Sequence, residues 1–155
     1  MRTVLIFCSS LQGATSTATF NVTASINAAC SVVANDLSFG TYNPINGANI
    51  SGTTTVLPTC TSTTPYNIAL STGNTGTFLN RLLVNGAHSL QYNLYTSAAH
   101  TTVWGDGSGS TSQVAGTGNG SQQSFTVYGL IPSGQISIPP SGTAYADAIT
   151  VTVTF

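Results

Sequence analysis

Apolar residues occupy every second position near both ends of this 155-residue chain. The last seven positions alternate apolar residues with threonine, and the apolar members are Ile149, Val151, Val153 and Phe155. The N-terminal alternation consists of Phe20, Val22, Ala24, Ile26, Ala28, Cys30 and Val32. A β-strand places alternate side chains on one face, whereas a helix repeats its apolar stripe every three or four positions. Both segments are therefore predicted to be half-buried strands, which either pair with each other or leave an edge for another chain.

Short runs with strand character recur between these two segments, separated by turn residues. Asn85-Gly86 is the strongest hairpin signal, because apolar runs flank it at 82–84 and 90–94. The stretch 105–123 is rich in Gly, Ser and Thr and is predicted to be a long surface loop or a weak edge strand. No window has helical spacing, and no apolar run approaches the ~18 residues of a membrane span. The sequence predicts an all-β chain of about seven to nine strands.

Charged residues make up only 3% of the sequence, with no Lys and no Glu. The five charged side chains are Arg2, Arg81, Asp36, Asp106 and Asp147. Nucleic acids and anionic membranes are bound through clustered Lys and Arg, which this chain lacks, so neither is predicted as a partner. A polar surface with so little charge can instead lie against copies of itself without electrostatic repulsion.

The inventory of catalytic side chains is small. His88 and His100 are the only histidines, no G-x-S-x-G motif occurs, and the three Asp residues show no readable pairing. Both histidines are predicted to be solvated, and Asp106 among glycines supplies one carboxylate, which is too few ligands for calcium. The sequence therefore predicts no enzyme activity, no cofactor and no metal site.

Three aromatic residues, Tyr92, Tyr95 and Trp104, could form a sugar-stacking surface. Packing in the core or on a strand face is the more common role of such residues, and we expect it here.

The first 18 residues have features of a secretion signal, with Arg2 followed by an apolar run. The apolar core at 3–7 is shorter than the roughly 7–15 residues of an ordinary signal, so we expect an atypical signal processed between positions 14 and 18. Cys30 and Cys60 then remain as an even pair in an exported chain, which predicts a disulfide. The alternative is two free thiols in a cytosolic protein.

Several sequence blocks, in this order and spacing, match a known family. They are Ala28-Ala-Cys30-Ser-Val, Leu37-Ser-Phe-Gly-Thr-Tyr42, Thr59-Cys60, Tyr66-Asn-Ile-Ala-Leu-Ser-Thr-Gly73, Leu90-Gln-Tyr-Asn-Leu-Tyr95, Val127-Tyr-Gly-Leu-Ile-Pro132 and Gly142-Thr-Ala-Tyr145-Ala-Asp147, followed by 149–155. From Phe20 to Phe155 the chain resembles the spore coat protein U domain, shared by secreted coat proteins and by subunits of archaic chaperone-usher pili.

The resemblance implies an incomplete immunoglobulin-like Greek-key β-sandwich over residues 28–155 that is completed by donor-strand exchange. Residues 19–27 would be the donor strand, with Phe20, Val22, Ala24 and Ile26 seated in the next subunit. Ile149, Val151, Val153 and Phe155 would form the edge that meets a periplasmic chaperone and later lines the acceptor groove. The implied partners are this chaperone, an outer-membrane usher and identical or related subunits in a head-to-tail polymer.

The function expected from this resemblance is a structural subunit of a pilus or fibre, secreted through the periplasm to the cell surface and supporting attachment and biofilm formation. The first alternative is a secreted spore or cell coat protein of the same fold that packs laterally. The second is a tip adhesin that binds a surface ligand, which is expected to carry a further binding domain.

Overall fold

The computed structural model describes residues 13–45, 47–74 and 76–155, whose regular secondary structure is entirely β. The strands are β1 (Cys30–Ala34), β2 (Ile50–Cys60), β3 (Pro65–Leu70), β4 (Gly76–Thr77), β5 (Asn80–Asn85), β6 (His88–Tyr95), β7 (Val103–Trp104), β8 (Thr111–Ser112), β9 (Val114–Thr117), β10 (Phe125–Ile131) and β11 (Val151–Thr154). These eleven strands exceed the expected seven to nine because β4, β7 and β8 have two residues each. The predicted all-β class is confirmed.

The strands form two sheets. The large sheet has the order β1-β2-β10-β6-β5-β4, with β7 added beside β6 and β8 beside β7. The small sheet has the order β11-β3-β9. All pairs are antiparallel except β7 with β8. Side chains from both sheets join one hydrophobic cluster, so the architecture is a β-sandwich.

The two ends of the sandwich differ, and we name them by their contents. The disulfide end contains Cys30, Cys60, the turn 61–64 and the loop 118–124, where the Gly120 amide donates to the Cys60 carbonyl at 3.1 Å. The turn end contains the β5–β6 turn and the loops 40–45 and 132–144. Asn85 Nδ2 joins the last of these to the β5–β6 turn by donating to the Thr143 carbonyl at 2.8 Å.

The core is built from the side chains at alternate, inward-facing positions of the strands. On β3 the side chains of Tyr66, Ile68 and Leu70 are buried, while the residues between them face outward or lie at the boundary. Trp104 is also fully buried, and its indole Nε1 donates to the Ile68 carbonyl at 2.9 Å. Trp104 and Tyr92 therefore pack in the core, as expected, and are not free to stack on a sugar.

Arg81 occupies an inward-facing position on β5 and is 0% exposed. Its Nε and Nη2 donate to the Ser71 carbonyl at 2.9 and 2.7 Å, Nη2 also donates to the Trp104 carbonyl at 2.8 Å, and Nη1 donates to Asn93 Oδ1 at 2.7 Å. Burial lowers the pKa of Arg81 from its ordinary value. We call this region, defined by Ile68, Arg81, Asn93 and Trp104, the closed side.

Two expectations about loops are changed by the structure. His100 is not a solvated side chain: its ring packs edge-on against Tyr95, with ring centroids 5.1 Å apart, and its Nε2 is buried. The stretch 105–123 contains β8 and β9, and β9 is an edge strand of the small sheet. Part of this stretch therefore forms an edge strand, which was the second of the two alternatives.

The N-terminal alternation does not form a half-buried strand within a single chain. Regular strand structure begins only at Cys30, and Phe20, Val22 and Ile26 are 86%, 83% and 91% exposed. Of the two alternatives for this segment, the described structure does not show pairing of the two ends within one chain, because nothing in the described fold pairs with residues 20–26.

The signal-like segment lies mostly outside the described residues, which begin at position 13. Within the described residues, no helix has the length and apolar character needed to cross a membrane.

Candidate functional site

A groove runs along one side of the sandwich, between the edge of the large sheet and the edge of the small sheet. One wall is formed by β1 and the chain that follows it, over residues 34–45. The other wall is formed by residues 138–151, which lead into β11. In the described residues β11 pairs only with β3, and β1 pairs only with β2, so each wall presents an unpaired strand edge to the groove.

The floor of this open groove is the hydrophobic core itself. Its middle part has a volume of about 570 Å³, and toward the turn end it continues into a second cavity of about 790 Å³. Leu37, Phe39, Leu83 and Tyr145 line both cavities, so the groove is continuous. The floor residues of the middle part are Val56, Leu70, Leu83, Tyr92, Leu94 and Val127. A segment bound in the groove would therefore contact the core and complete it.

The wall that follows β1 depends on two glycines of the large sheet. A Cβ on Gly129 would lie 2.6 Å from Leu37 Cδ2 and 2.7 Å from Phe39 Cζ, and a Cβ on Gly52 would lie 3.0 Å from Leu37 Cδ1. Both glycines are thus needed for these side chains to approach the sheet closely. Phe39 then meets Tyr92 edge-on, with ring centroids 6.1 Å apart.

The opposite wall contains the C-terminal alternation. Val151 pairs with Leu70 and Val153 with Ile68, and both valines and Ile149 are half-buried against the core. Phe155 follows the last strand residue and is exposed. The C-terminal alternation therefore lies at the groove as a strand edge, with Ile149 and Val151 lining the cavity and Phe155 beyond it toward the disulfide end.

Asp147 holds this wall in position. Its Oδ1 accepts hydrogen bonds from the amides of Asn74 at 2.7 Å and Ala148 at 2.8 Å, and its Oδ2 accepts one from the Tyr92 hydroxyl at 2.7 Å. Burial and the hydrogen bond to Asp147 raise the pKa of Tyr92 above its ordinary value. Sequence reasoning did not find this contact, because Tyr92 and Asp147 are 55 positions apart in the sequence.

The chain before β1 leaves the sandwich at the disulfide end. Ala29 is fixed there, since its amide donates to Thr61 Oγ1 at 3.2 Å and its carbonyl accepts from the Thr61 amide at 2.9 Å. Residues 13–29 have no regular secondary structure, and Phe20, Val22, Ala24 and Ile26 are exposed. The structure therefore does not bring this segment into its own groove.

Cys30 and Cys60 face each other across the β1–β2 ladder and form a disulfide, with their Cα atoms 4.1 Å apart. A shallow, mostly apolar pocket of about 350 Å³ lies beside it, lined by Ala29, Cys30, Ser31, Thr59, Cys60, Thr61 and Gly120.

The side chains considered for catalysis or metal binding are not brought together. His88 is exposed at the turn end, Asp36 lines the groove, and Asp106 accepts from the amide and hydroxyl of Ser108 at 2.8 and 2.6 Å. These hydrogen bonds lower the pKa of Asp106. Among the residues that the structure describes, no three His, Cys, Asp or Glu side chains cluster as metal ligands.

Comparison with known proteins identifies the class of protein that this fold and groove define. The spore coat protein U domain matches residues 16–152, which is most of the chain. The chain is 33% identical to Protein U of Myxococcus xanthus, over 97% of this chain and 91% of that protein. It therefore belongs to the spore coat protein U domain family, whose members are structural and non-enzymatic, so the expectation of no enzyme activity is confirmed.

A solved structure agrees with the immunoglobulin-like fold. The CsuC–CsuE chaperone–tip adhesion subunit pre-assembly complex, from the archaic chaperone-usher Csu pili of Acinetobacter baumannii, matches with a TM-score of 0.59 at 18% identity. The match covers 84% of this chain and 40% of that chain, so this chain spans less than half of the length of its structural neighbour. A chaperone-usher pilus structure concerned with rod uncoiling matches with a TM-score of 0.49 at 14% identity, covering 96% of this chain and 99% of that one.

Proposed function

We propose that this protein is a structural subunit of an extracellular chaperone-usher pilus that polymerises by donor-strand exchange and supports surface attachment and biofilm formation. One observation carries the proposal: the core is open along a groove with two unpaired strand edges, and the same chain carries an exposed segment with the apolar alternation of a strand. Residues 19–27 of one subunit would fill the groove of the next, adding a strand between β11 and β1.

The direction of insertion follows from the two walls. The wall that ends in β11 runs from the turn end to the disulfide end, because Thr154 pairs with Asn67 near the turn 61–64. Antiparallel pairing is the more stable arrangement, so the donor strand would run the other way, with Phe20 at the acceptor's disulfide end and Ile26 at its turn end. The donor subunit then sits beyond the turn end with its own groove free. Such head-to-tail contacts do not close on themselves and extend as a filament.

The energy available is sufficient for a stable contact. Burial of Phe20, Val22, Ala24 and Ile26, which are exposed in the single chain, would contribute roughly 5–8 kcal/mol before the entropy cost of ordering the segment. Backbone hydrogen bonds to the unpaired edge of β11 add to this.

Before polymerisation the open edge is a hazard, because an unpaired apolar strand edge promotes aggregation. A periplasmic chaperone would cover Ile149, Val151, Val153 and Phe155 during export, and an outer-membrane usher would exchange it for the next subunit. The structural neighbour from the Csu pili, which is a complex of a chaperone with a subunit, supports a chaperone as partner.

Two variants test strand exchange. Deletion of Thr23 shifts half of the donor side chains to the opposite face, because the side-chain period of a strand is two, and polymer should be lost. A second copy of residues 19–27 added after Phe155 through a Gly/Ser linker should fill the groove in the same chain and give a stable monomer. Both variants are compared with the unmodified protein by electron microscopy. Efficient polymerisation of the fused protein, or intact fibres from the deletion variant, would contradict strand exchange.

The second candidate is a coat protein of the same fold that packs laterally on a cell or spore. It is favoured by the 33% identity to Protein U over almost the full chain and by the family's own description. Electron microscopy of the purified protein distinguishes the two, since only the first candidate predicts unbranched filaments that depend on residues 19–27.

A further inference from the structure

We propose that the turn end of each subunit docks against the disulfide end of the next subunit in the polymer, through exposed isoleucines on one side and the pocket beside the disulfide on the other. This interface rests on the proposed strand exchange. Ile136 and the pocket beside the disulfide lie outside the groove, whereas Ile45 lies at the turn-end limit of its wall.

The first argument is the length of the tether. Ala29 is fixed to Thr61 at the disulfide end by two hydrogen bonds, one to the Thr61 hydroxyl and one from the Thr61 amide, and only Asn27 and Ala28 separate it from Ile26. Three peptide units span at most about 11 Å. When Ile26 is seated near the turn end of the acceptor groove, the disulfide end of the donor subunit must therefore lie close to the acceptor's turn end.

The second argument is what the turn end exposes. Ile45 is 87% exposed and Ile136 is 73% exposed, although both are large apolar side chains. Their loops are joined, because the Tyr42 hydroxyl donates to the Pro132 carbonyl at 3.2 Å and accepts from the Gln135 amide at 3.2 Å. The turn end thus presents two apolar side chains on connected loops.

The third argument is the complementary surface. The disulfide end has the shallow pocket of about 350 Å³ whose lining is mostly apolar. Neither end has an Asp, Glu, Lys or Arg residue. None occurs at the disulfide end, at positions 28–33, 58–65 and 117–124, and none occurs at the turn end, at positions 40–49 and 131–146. Two such surfaces approach without charge repulsion, and burial of the isoleucines favours their contact. The occupant of each surface is thus a second copy of this chain.

Cross-linking of assembled fibres tests the interface directly. Ile136→Cys is combined with Ser62→Cys, which is exposed in the turn beside the pocket, and Ile45→Cys is combined with Ser62→Cys in a second variant. The control combines Ser62→Cys with Leu79→Cys, an exposed apolar residue in the β4–β5 turn at the far edge of the large sheet. After treatment with a short bifunctional maleimide, we expect a ladder of cross-linked oligomers from at least one isoleucine pair and none from the control.

A second measurement separates this interface from the groove. The variant Ile136→Asp changes a side chain that does not line the groove, so it should bind a synthetic peptide of residues 19–28 as tightly as the unmodified protein, but its fibres should dissociate at a lower temperature.

Three results overturn the proposal. If the cysteine variants form normal fibres that give no ladder, and fibres of the aspartate variant dissociate at the same temperature as those of the unmodified protein, the ends do not dock. Strand exchange would still stand in that case. Cross-linking by Ser62→Cys alone shows that disulfide ends face each other. Failure of the unmodified protein to bind the peptide overturns strand exchange, and the interface with it.

Discussion

The closed side and the open groove share β3, β5 and β6, but they differ in how far their polar groups are hydrogen-bonded and their apolar side chains buried within the chain. On the closed side, the Arg81 guanidinium makes hydrogen bonds to the Ser71 carbonyl, the Trp104 carbonyl and the Asn93 side chain, all within the chain. In the groove, β11 has one unpaired edge, and Ile149, Val151 and Val153 are only half-buried. The closed side thus stabilises the single chain, whereas the groove leaves a strand edge unpaired and apolar side chains half-buried, as the proposed strand exchange requires.

The largest effect expected from this comparison is on assembly. Replacement of Val151 and Val153 with Asp places two charges on the groove wall, and we expect complete loss of polymer and of surface display, because a buried unpaired carboxylate is strongly unfavourable. Surface display is measured by immunoblotting of intact cells. The matched control is Thr152→Asp, on the outward face of the same strand, which should retain display. Normal display of the double variant would contradict the role of this edge.

The next effect concerns the stability of the single subunit. Arg81→Ala removes a fully buried side chain and leaves the acceptors on Asn93, Ser71 and Trp104 without their donor, so we expect the free energy of unfolding to fall by about 3–5 kcal/mol. Urea unfolding measures this free energy in the fusion protein that carries a second copy of residues 19–27 after Phe155. Leu79→Ala, at an exposed position, should change the same quantity by less than about 0.5 kcal/mol. Similar losses in the two variants would show that the closed side is not the stabilising region.

The disulfide supports one wall of the groove, because it fixes β1 to β2, the neighbouring strand of the large sheet. Replacement of Cys30 and Cys60 with Ala opens a loop with a sequence separation of 30, for which the chain-entropy model gives a loss of about 3–4 kcal/mol. Urea unfolding with and without reductant measures this. Mass mapping of non-reduced peptides provides the check, since recovery of both thiols in free form would rule out the disulfide.

The smallest effect concerns Tyr92, which lies between the two regions. Tyr92→Phe leaves one oxygen of Asp147 without its donor, so the free energy of unfolding should fall by about 1–3 kcal/mol at neutral pH.

The stability of the fold is expected to decrease at high pH. Burial raises the pKa of Tyr92, and also those of Tyr66 and Tyr95, so the folded chain keeps protons that the unfolded chain loses above about pH 10. Stability should therefore be complete below about pH 10 and fall at higher pH. The decline should be shallower in Tyr92→Phe than in the unmodified protein, as measured by thermal unfolding between pH 8 and pH 12. Equal slopes would argue against a buried, neutral Tyr92.

The sequence by itself determined the fold class and much of the core. Period-two alternation and turn signals predicted strands at 82–84, 90–94 and 149–155, and the structure has β5, β6 and β11 there. These predictions succeeded because alternation and turn chemistry are local properties of the chain. The blocks shared with the spore coat protein U domain also identified the family before the fold was known.

Only the tertiary structure decided which residues meet across long separations. Arg81 is a charged residue in an apolar run, and its burial depends on acceptors from Ser71, Asn93 and Trp104, which no local pattern brings together. The same holds for the contact of Asp147 with Tyr92. The alternation at 20–26 predicted a half-buried strand, yet the single chain leaves this segment exposed and without regular secondary structure, because nothing in the described fold pairs with it.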